Sequence, residues 1–365
     1  MASAKPNIKA LRYRDLLQEM RQRGQPGYRA QQVYQWLYQK AVLDFAEMSN
    51  LPKTLRQELA EAYEIGTLRV LHRAVSRDGT VKFLLQLPDG HRIESVLIPE
   101  GKRRTVCVSS QVGCAMGCAF CATARLGFTR NLEAWEIVEQ VLVAQRHLWE
   151  VGDPRPVTNV VFMGMGEPLL NLPAVLQAIR ILNSDHGPNI GARKITVSTV
   201  GVVQGIYELA GAPVQLKLAL SLHTAIQEKR EQIIPLARKV GLKDLKRALF
   251  TFYLQKRRWV TLEYIHLPGF NDTEEDIRAL QRFLGDMPAK INVIPYNPFP
   301  GGPFRAPTEE EFQDFIRRLR RLAYTVTPRA PRGRDILGAC GQLALHQVRL
   351  GSVKPVVYTP DSPPA

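Results

Sequence analysis

Leu11, Leu16, Leu17 and Met20 recur at helical spacing, and Gly24 and Pro26 follow them. That pattern predicts an amphipathic helix ended by residues that break one. A second helix is predicted from Tyr28 through Tyr38. A third opens near 48–52, with Ser49 or Asn50 as its cap. Tyr34, Trp36 and Tyr38 cluster on the second helix. Such rings stack on bases in some proteins, but packing in a small helical core is favoured here. From residue 67 the period shortens towards two. Stretches 81–87 and 92–98 read as strands joined through Pro88-Asp89-Gly90, and Asp78-Gly79 marks an earlier turn. From 105 onward strand, loop and helix alternate. Strands are predicted at 105–109, 159–163, 194–199, 215–220, 260–265 and 291–295, and a last one at 324–327. Helices fall between them, for example at 133–148 and 274–284. This alternation predicts a parallel sheet. Six units fall short of the eight of a closed barrel. The expected architecture is α/β: a partial (β/α)6 barrel over 105–345, a helical N-terminal domain over 1–66, a β-hairpin extension over 67–104 and a Pro-rich tail over 346–365.

Composition narrows the class. At 45% hydrophobic and 23% charged residues the chain reads as globular. No apolar run approaches the roughly 20 residues of a membrane span, and the first residues lack the apolar core of a signal peptide. A cytoplasmic protein with no membrane partner is expected, and a monomer is the simplest assembly. Five cysteines, three of them in one short stretch, suit a reducing compartment better than a disulfide framework. The net charge of +15 and pI of about 9.8 favour a polyanionic partner.

The candidate chemistry starts at Cys114, Cys118 and Cys121, spaced C-x3-C-x2-C. Structural zinc normally takes four protein ligands, and no second C-x2-C follows. A cubane cluster takes one cysteine per iron, so three cysteines leave one iron open to an outside ligand. A zinc knuckle or unrelated thiols is the competing reading. In parallel α/β folds ligands meet the carboxyl ends of strands, and polar residues fall there one after another. Gly164-Met165-Gly166-Glu167-Pro168 follows the second strand, Ser198 ends the third, Ser221-Leu222-His223 follows the fourth, His266 the fifth and Asn297 the sixth. Glycines let a backbone approach a ligand closely, and Glu167 can accept a hydrogen bond from an ammonium or hydroxyl group. Ser198, Ser221 and Asn297 are by themselves plain polar residues, and His266 carries no assignment. Two further cysteines remain. A lone free cysteine is usually an inert buried hydrophobe. Cys340, however, sits among glycines in a loop with Arg332, Arg334 and Asp335, where guanidinium charge favours a thiolate. Cys107 lies seven residues before the cysteine loop.

The cysteine loop resembles that of the radical S-adenosylmethionine (SAM) superfamily. Its open iron holds the amino-acid end of SAM, and its glycine segment holds the SAM amino group. Taken with Gly127-Phe128-Thr129-Arg130-Asn131-Leu132, residues 164–171, Asn297-Pro298-Phe299-Pro300-Gly301 and the Cys340 loop, the chain resembles the RlmN/Cfr family of RNA methyltransferases. Pro168 brings it nearer the RlmN branch, while Gly338 stands where many relatives have Ala. The resemblance implies one 4Fe-4S cluster on Cys114, Cys118 and Cys121, and two SAM molecules per turnover. It implies SAM contacts from Gly166, Glu167, Ser198, Ser221, Leu222, His223 and Asn297. It implies methylation of carbon 2 of an adenosine in 23S rRNA, and of the adenosine 3′ to the anticodon in some tRNAs. The Cfr alternative is carbon 8 of the ribosomal adenosine. Carbon 2 is electron-poor, so direct displacement on a methyl donor fails there. The family's answer implies that Cys340 takes a methyl group from one SAM and that a second SAM, cleaved at the cluster, activates it. The carbon joins the base, and Cys107 then resolves the crosslink by forming a disulfide with Cys340. Glu94 matches the proposed proton acceptor, although alone it reads equally as a surface carboxylate on a strand. An external reductant such as flavodoxin is implied. The N-terminal helices and the run Lys102 to Arg104 are expected to help hold RNA.

Overall fold

The computed structural model describes residues 5–322 and 324–344. The tail expected at 346–365, and residue 345 ending the expected core, lie outside the described residues.

The chain begins with three short helices, α1 (Tyr13–Gln22), α2 (Tyr28–Tyr38) and α3 (Lys53–Ala62). Leu16 and Met20 of α1 are buried, and Gly24, at φ +67°, turns the chain out of it. Tyr34 and Tyr38 are buried with ring centroids 4.5 Å apart, so these rings form core as the favoured reading held. The expected cap of α3 is absent. Pro52 holds the cap position with no side-chain hydrogen bond, because Asn50 Oδ1 is taken by the Trp36 indole N–H at 2.6 Å. Beneath these helices Lys9 Nζ meets Glu139 Oε2 at 2.6 Å, and Arg146 reaches the other oxygen. Burial lowers the Lys9 pKa. Burial also works against the Glu139 carboxylate, yet Arg146 and Lys9 hold its pKa below the usual range.

Ten strands form one sheet. The first four are β1 (Arg69–Val75), β2 (Val81–Gln86), β3 (Arg92–Glu100) and β4 (Arg103–Cys107), paired antiparallel. The hairpin predicted at Pro88-Asp89-Gly90 joins β2 to β3, with Gln86 opposite Arg92. β1 escaped the sequence pattern because a bulge between Val70 and His72 breaks its alternation. A separate two-stranded flap, β5 (Gln111–Gly113) with β6 (Phe128–Asn131), is too short to show a period.

The sheet continues in parallel from β4 through β7 (Asn159–Phe162), β8 (Ile195–Thr199), β9 (Lys217–Ser221), β10 (Val260–His266), β11 (Ala289–Pro295) and β12 (Thr325–Pro328). Between them run α4 (Ala134–Glu150), α5 (Leu172–Asn183), α6 (Val203–Gly211), α7 (Gln227–Ile233), α8 (Leu242–Lys256), α9 (Glu274–Leu284) and α10 (Glu309–Leu319). This gives the six expected βα units, with β12 as an added edge strand. β1 and β12 lie at opposite ends of the strand order and do not pair, so the barrel is open. β10 is buried at every residue, as a central parallel strand is. α9 starts where expected because Thr273 and Asp276 form a reciprocal capping box. Along one face the pairing runs Cys107–Val161–Thr196–Lys217, which puts those residues in one row. No helix among the described residues is long and apolar enough to cross a membrane.

Candidate active site

The cysteine loop leaves the flap and is pinned at several points. Cys114 N–H donates to Gly127 O at 2.7 Å, Ala119 N–H to Ile233 O at 2.9 Å, and Ala122 N–H to Gly341 O at 2.7 Å. The last bond ties this loop to the loop carrying Cys340. Gly113 is required: its φ is +75°, and a Cβ there would meet Gly127 O at 1.8 Å.

Cys114, Cys118 and Cys121 line one chamber together with Gly166, Glu167, Ser198, Ser221, His223 and Cys340. Burial pushes the Cys114 thiol up to about 11, and raises Cys118 and Cys121 as well. Such thiols gain most from a cationic centre, since metal binding requires and stabilises the thiolate. Among the described residues no three His, Cys, Asp or Glu side chains converge on a single ion. Three cysteine thiols lining one chamber suit a cubane cluster, which takes one thiolate per iron, better than a closed structural zinc site, which takes four protein ligands.

Glu167 is buried, and its carboxylate accepts from Leu169 N–H at 3.1 Å and Val200 N–H at 2.9 Å. Burial pushes its pKa up to about 7 against the pull of those donors. Its own N–H donates to Gln111 Oε1 at 2.9 Å, so the flap also carries the glycine segment. His223, at φ +62°, accepts from Ile265 N–H through Nδ1 at 3.1 Å. Burial, helped by Arg230, lowers its pKa to about 3, so the ring is neutral. A neutral ring that accepts at Nδ1 carries its proton at Nε2. Nε2 has no partner among the described residues, which leaves a buried donor on the chamber wall for a ligand.

Not every expected SAM contact lines this chamber. Leu222 is fully buried, and its carbonyl accepts from Arg230 Nε at 3.3 Å. Asn297 faces a second cavity, donating from Nδ2 to Cys340 O at 3.3 Å and accepting from Arg334 Nε at 2.6 Å. Both hold other parts of the site. His266 bonds Asp272 at 3.0 Å and stacks on Phe315, which is a packing role.

The second cavity holds Cys107 and shares Met163, Ile294, Arg329 and Cys340 with the first. Cys340 therefore stands in the wall between two chambers, with the cluster cysteines on one side and Cys107 on the other. Burial, with Cys340 adding to it, pushes Cys107 up to about 12. Arg329 is the cation beside both thiols, and its pKa is raised chiefly by Cys340. The sequence reading pointed instead to Arg332, Arg334 and Asp335. Arg334 is spent on Asn297, and Asp335 accepts from Ser76 Oγ at 2.6 Å and Arg77 N–H at 3.1 Å. Arg329 follows β12 directly, so the strand-end rule that found the other residues could have found it.

Three expectations need correction. The Cys107–Cys340 disulfide is absent: all five cysteines are free, and both partners stand as thiols. Glu94 is no surface carboxylate. It is buried, pairs with Lys82 Nζ at 2.9 Å and accepts from Ala344 N–H at 3.0 Å, fastening the end of the Cys340 loop. It lines neither cavity. Arg104 is buried against Asp153 at 2.6 Å and is not available to RNA, although Lys102 and Arg103 are exposed.

Residues 6–65 match the family described as the ribosomal RNA large subunit methyltransferase N-terminal domain, and residues 108–284 match the radical SAM superfamily. The chain is 45% identical over 349 residues to the dual-specificity RNA methyltransferase RlmN of Geobacter sulfurreducens, covering 96% of this chain and 94% of that one. The chain belongs to the RlmN family. A probable RlmN of Thermosynechococcus vestitus is 47% identical, with 89% and 94% of the two chains covered. The crystal structure of a radical SAM methyltransferase from Sphaerobacter thermophilus superposes with a TM-score of 0.88 at 42% identity, covering 93% of this chain and 99% of that one. As a member of the RlmN family the chain is a radical SAM RNA methyltransferase and uses a 4Fe-4S cluster and SAM. The relatives carry the RlmN name, which fits carbon-2 chemistry and not the Cfr alternative.

Proposed function

We propose that this enzyme methylates carbon 2 of one adenosine in 23S rRNA and of the adenosine 3′ to the anticodon in some tRNAs, with Cys340 as the methyl carrier. The observation that supports it most is the position of Cys340, on the wall shared by the cluster-side chamber and the chamber of Cys107. When bound, the cluster and SAM supply the methyl group and the one-electron chemistry that an electron-poor carbon demands. The chain's own residues do the rest. Cys114, Cys118 and Cys121 hold the cluster. Glu167, Ser198, Ser221 and the Nε2–H of His223 offer acceptors and a donor to the amino-acid and sugar ends of SAM. Asn297 and the Ala122–Gly341 bond hold the Cys340 loop towards the chamber. Arg329 places positive charge beside the carrier sulfur. Cys107 Sγ, which burial keeps protonated, lines the second chamber together with Cys340. Glu94 serves this chemistry through the loop end it fastens, with Lys82 balancing its charge. The enzyme works as a cytoplasmic monomer supplied by an external reductant such as flavodoxin. Nucleoside mass spectrometry of RNA treated with the reconstituted enzyme tests the reading. A 2-methyladenosine product supports it, and 8-methyladenosine or no product overturns it.

A further inference from the structure

The second cavity opens at the end of the barrel opposite the cluster loop. Asn159 and Lys217 begin their strands, Arg103 begins β4 and Lys194 directly precedes β8, and all four line it. Parallel strands start on one side, so this is the floor of the barrel. Its volume is about 380 Å³, against about 130 Å³ for the cluster-side chamber.

The floor is basic. Arg103, Lys194, Lys217 and Arg332 line it, and Glu100 is the carboxylate among them. Glu100 is engaged by Arg103 at 2.9 Å and Arg332 at 3.7 Å. Lys194 and Lys217 form no salt bridge among the described residues. Lys217 is half-buried, and its pKa is lowered by burial and then by Lys290, Arg258 and Arg103 around it. Cations crowded together without anions repel one another, and they are useful where a polyanion comes to them. Lys217 also stands in the same sheet row as Cys107.

We propose that the floor is the RNA entrance. Phosphates of a splayed single strand lie on Lys194 and Lys217, and the target adenine rises between Cys107 and Cys340. This rests on the RNA-methylating reading above. It explains why the two cavities meet at Cys340: the base reaches the carrier sulfur from one cavity while the cofactors occupy the other. Unstacking a base costs a few kcal/mol, and phosphate contacts at the entrance offset it.

The test is binding of an RNA stem–loop with the adenosine in its loop, measured by fluorescence anisotropy over a salt series, alongside methylation of the same RNA. Lys194→Ala/Lys217→Ala should lower affinity about tenfold or more and shrink the salt slope by roughly 1–2. Lys217→Arg should recover most of the loss from Lys217→Ala, which separates lost charge from lost fold. Lys239→Ala/Lys243→Ala removes the same charge from exposed positions at and near the start of α8 and should change the slope little. If wild type methylates the RNA while the floor variant binds with unchanged affinity and slope, the entrance is elsewhere. If wild type methylates no RNA, the reading beneath the inference falls with it.

Discussion

Replacing Gly166 with Ala probes the joint that holds Glu167 against the cysteine loop. Gly166 lies at φ +98°, and an added Cβ would fall 2.6 Å from Gln111 Cβ, 2.7 Å from its Cγ and 2.9 Å from its backbone N. The nearest atoms belong to the Cβ and backbone of a strand residue, so they cannot swing aside. Gln111 is itself fixed: its side chain accepts from Glu167 N–H at 2.9 Å and donates to Asn131 at 2.8 Å. Backbone strain at such an angle costs roughly 1–3 kcal/mol, and overpacking adds roughly 1–3 kcal/mol. The sum, about 2–6 kcal/mol, is a large part of the about 5–15 kcal/mol that holds a typical protein folded. Gly127→Ala is the control. Its φ is +67°, but nothing lies within 4 Å of the new Cβ, so only the strain remains. Thermal melting and SAM titration should both place Gly166→Ala well below Gly127→Ala. Equal melting temperatures with wild-type SAM affinity in both would refute the reasoning that close packing here positions Glu167.

Other consequences follow from particular contacts. Lys9→Met removes a cation from buried Glu139 and should destabilise by about 3–5 kcal/mol, read by denaturant unfolding. Adding Glu139→Leu should return part of that, and a neutral single variant would contradict the assigned pairing. Asp78 accepts from Gly333 N–H at 3.1 Å at the start of the Cys340 loop. Burial works against its charge, but hydrogen bonds from Thr80, Gly333 and Ser76 lower its pKa from 3.8 to about 2. The folded value is depressed, so the clamp is fully present above about pH 4 and is lost as pH falls towards 2. Pepsin cleavage within 330–344 should rise over that window and be pH-insensitive in Asp78→Asn. His223→Phe removes the unpartnered Nε2–H and should weaken SAM binding by about tenfold, the range of one neutral hydrogen bond. Isothermal titration of the cluster-loaded protein measures it, and wild-type affinity would remove His223 from the SAM site.

Much of this was legible in the sequence because it is periodic or punctuated. The α9 boundaries follow from Thr273 and Asp276, the β2–β3 hairpin from Pro88-Asp89-Gly90, and the row of polar residues at strand ends from the βα repeat itself. What escaped lies in contacts between distant residues. Nothing local marks Glu94 as buried, because its partners Lys82 and Ala344 come from a neighbouring strand and from the far end of the chain. Arg104 reads as one more charge in a basic run until Asp153 covers it. Asn297 reads as a strand-end ligand, but the chain folds it onto the Cys340 backbone. Arg329 was hidden among many arginines: its place directly after β12 was legible, but its position beside Cys107 and Cys340 comes from the folding of distant strands into one sheet.

The central claim is that one sulfur serves both chambers, and peptide mass spectrometry of Cys340 tests it most directly. Protein loaded with iron, sulfide and SAM should carry one methyl group on Cys340, absent when Cys118 is replaced by Ala, and Cys340→Ala should yield no methylated RNA. Methylated RNA from Cys340→Ala, or from enzyme whose Cys340 never carries the methyl group, would contradict the account.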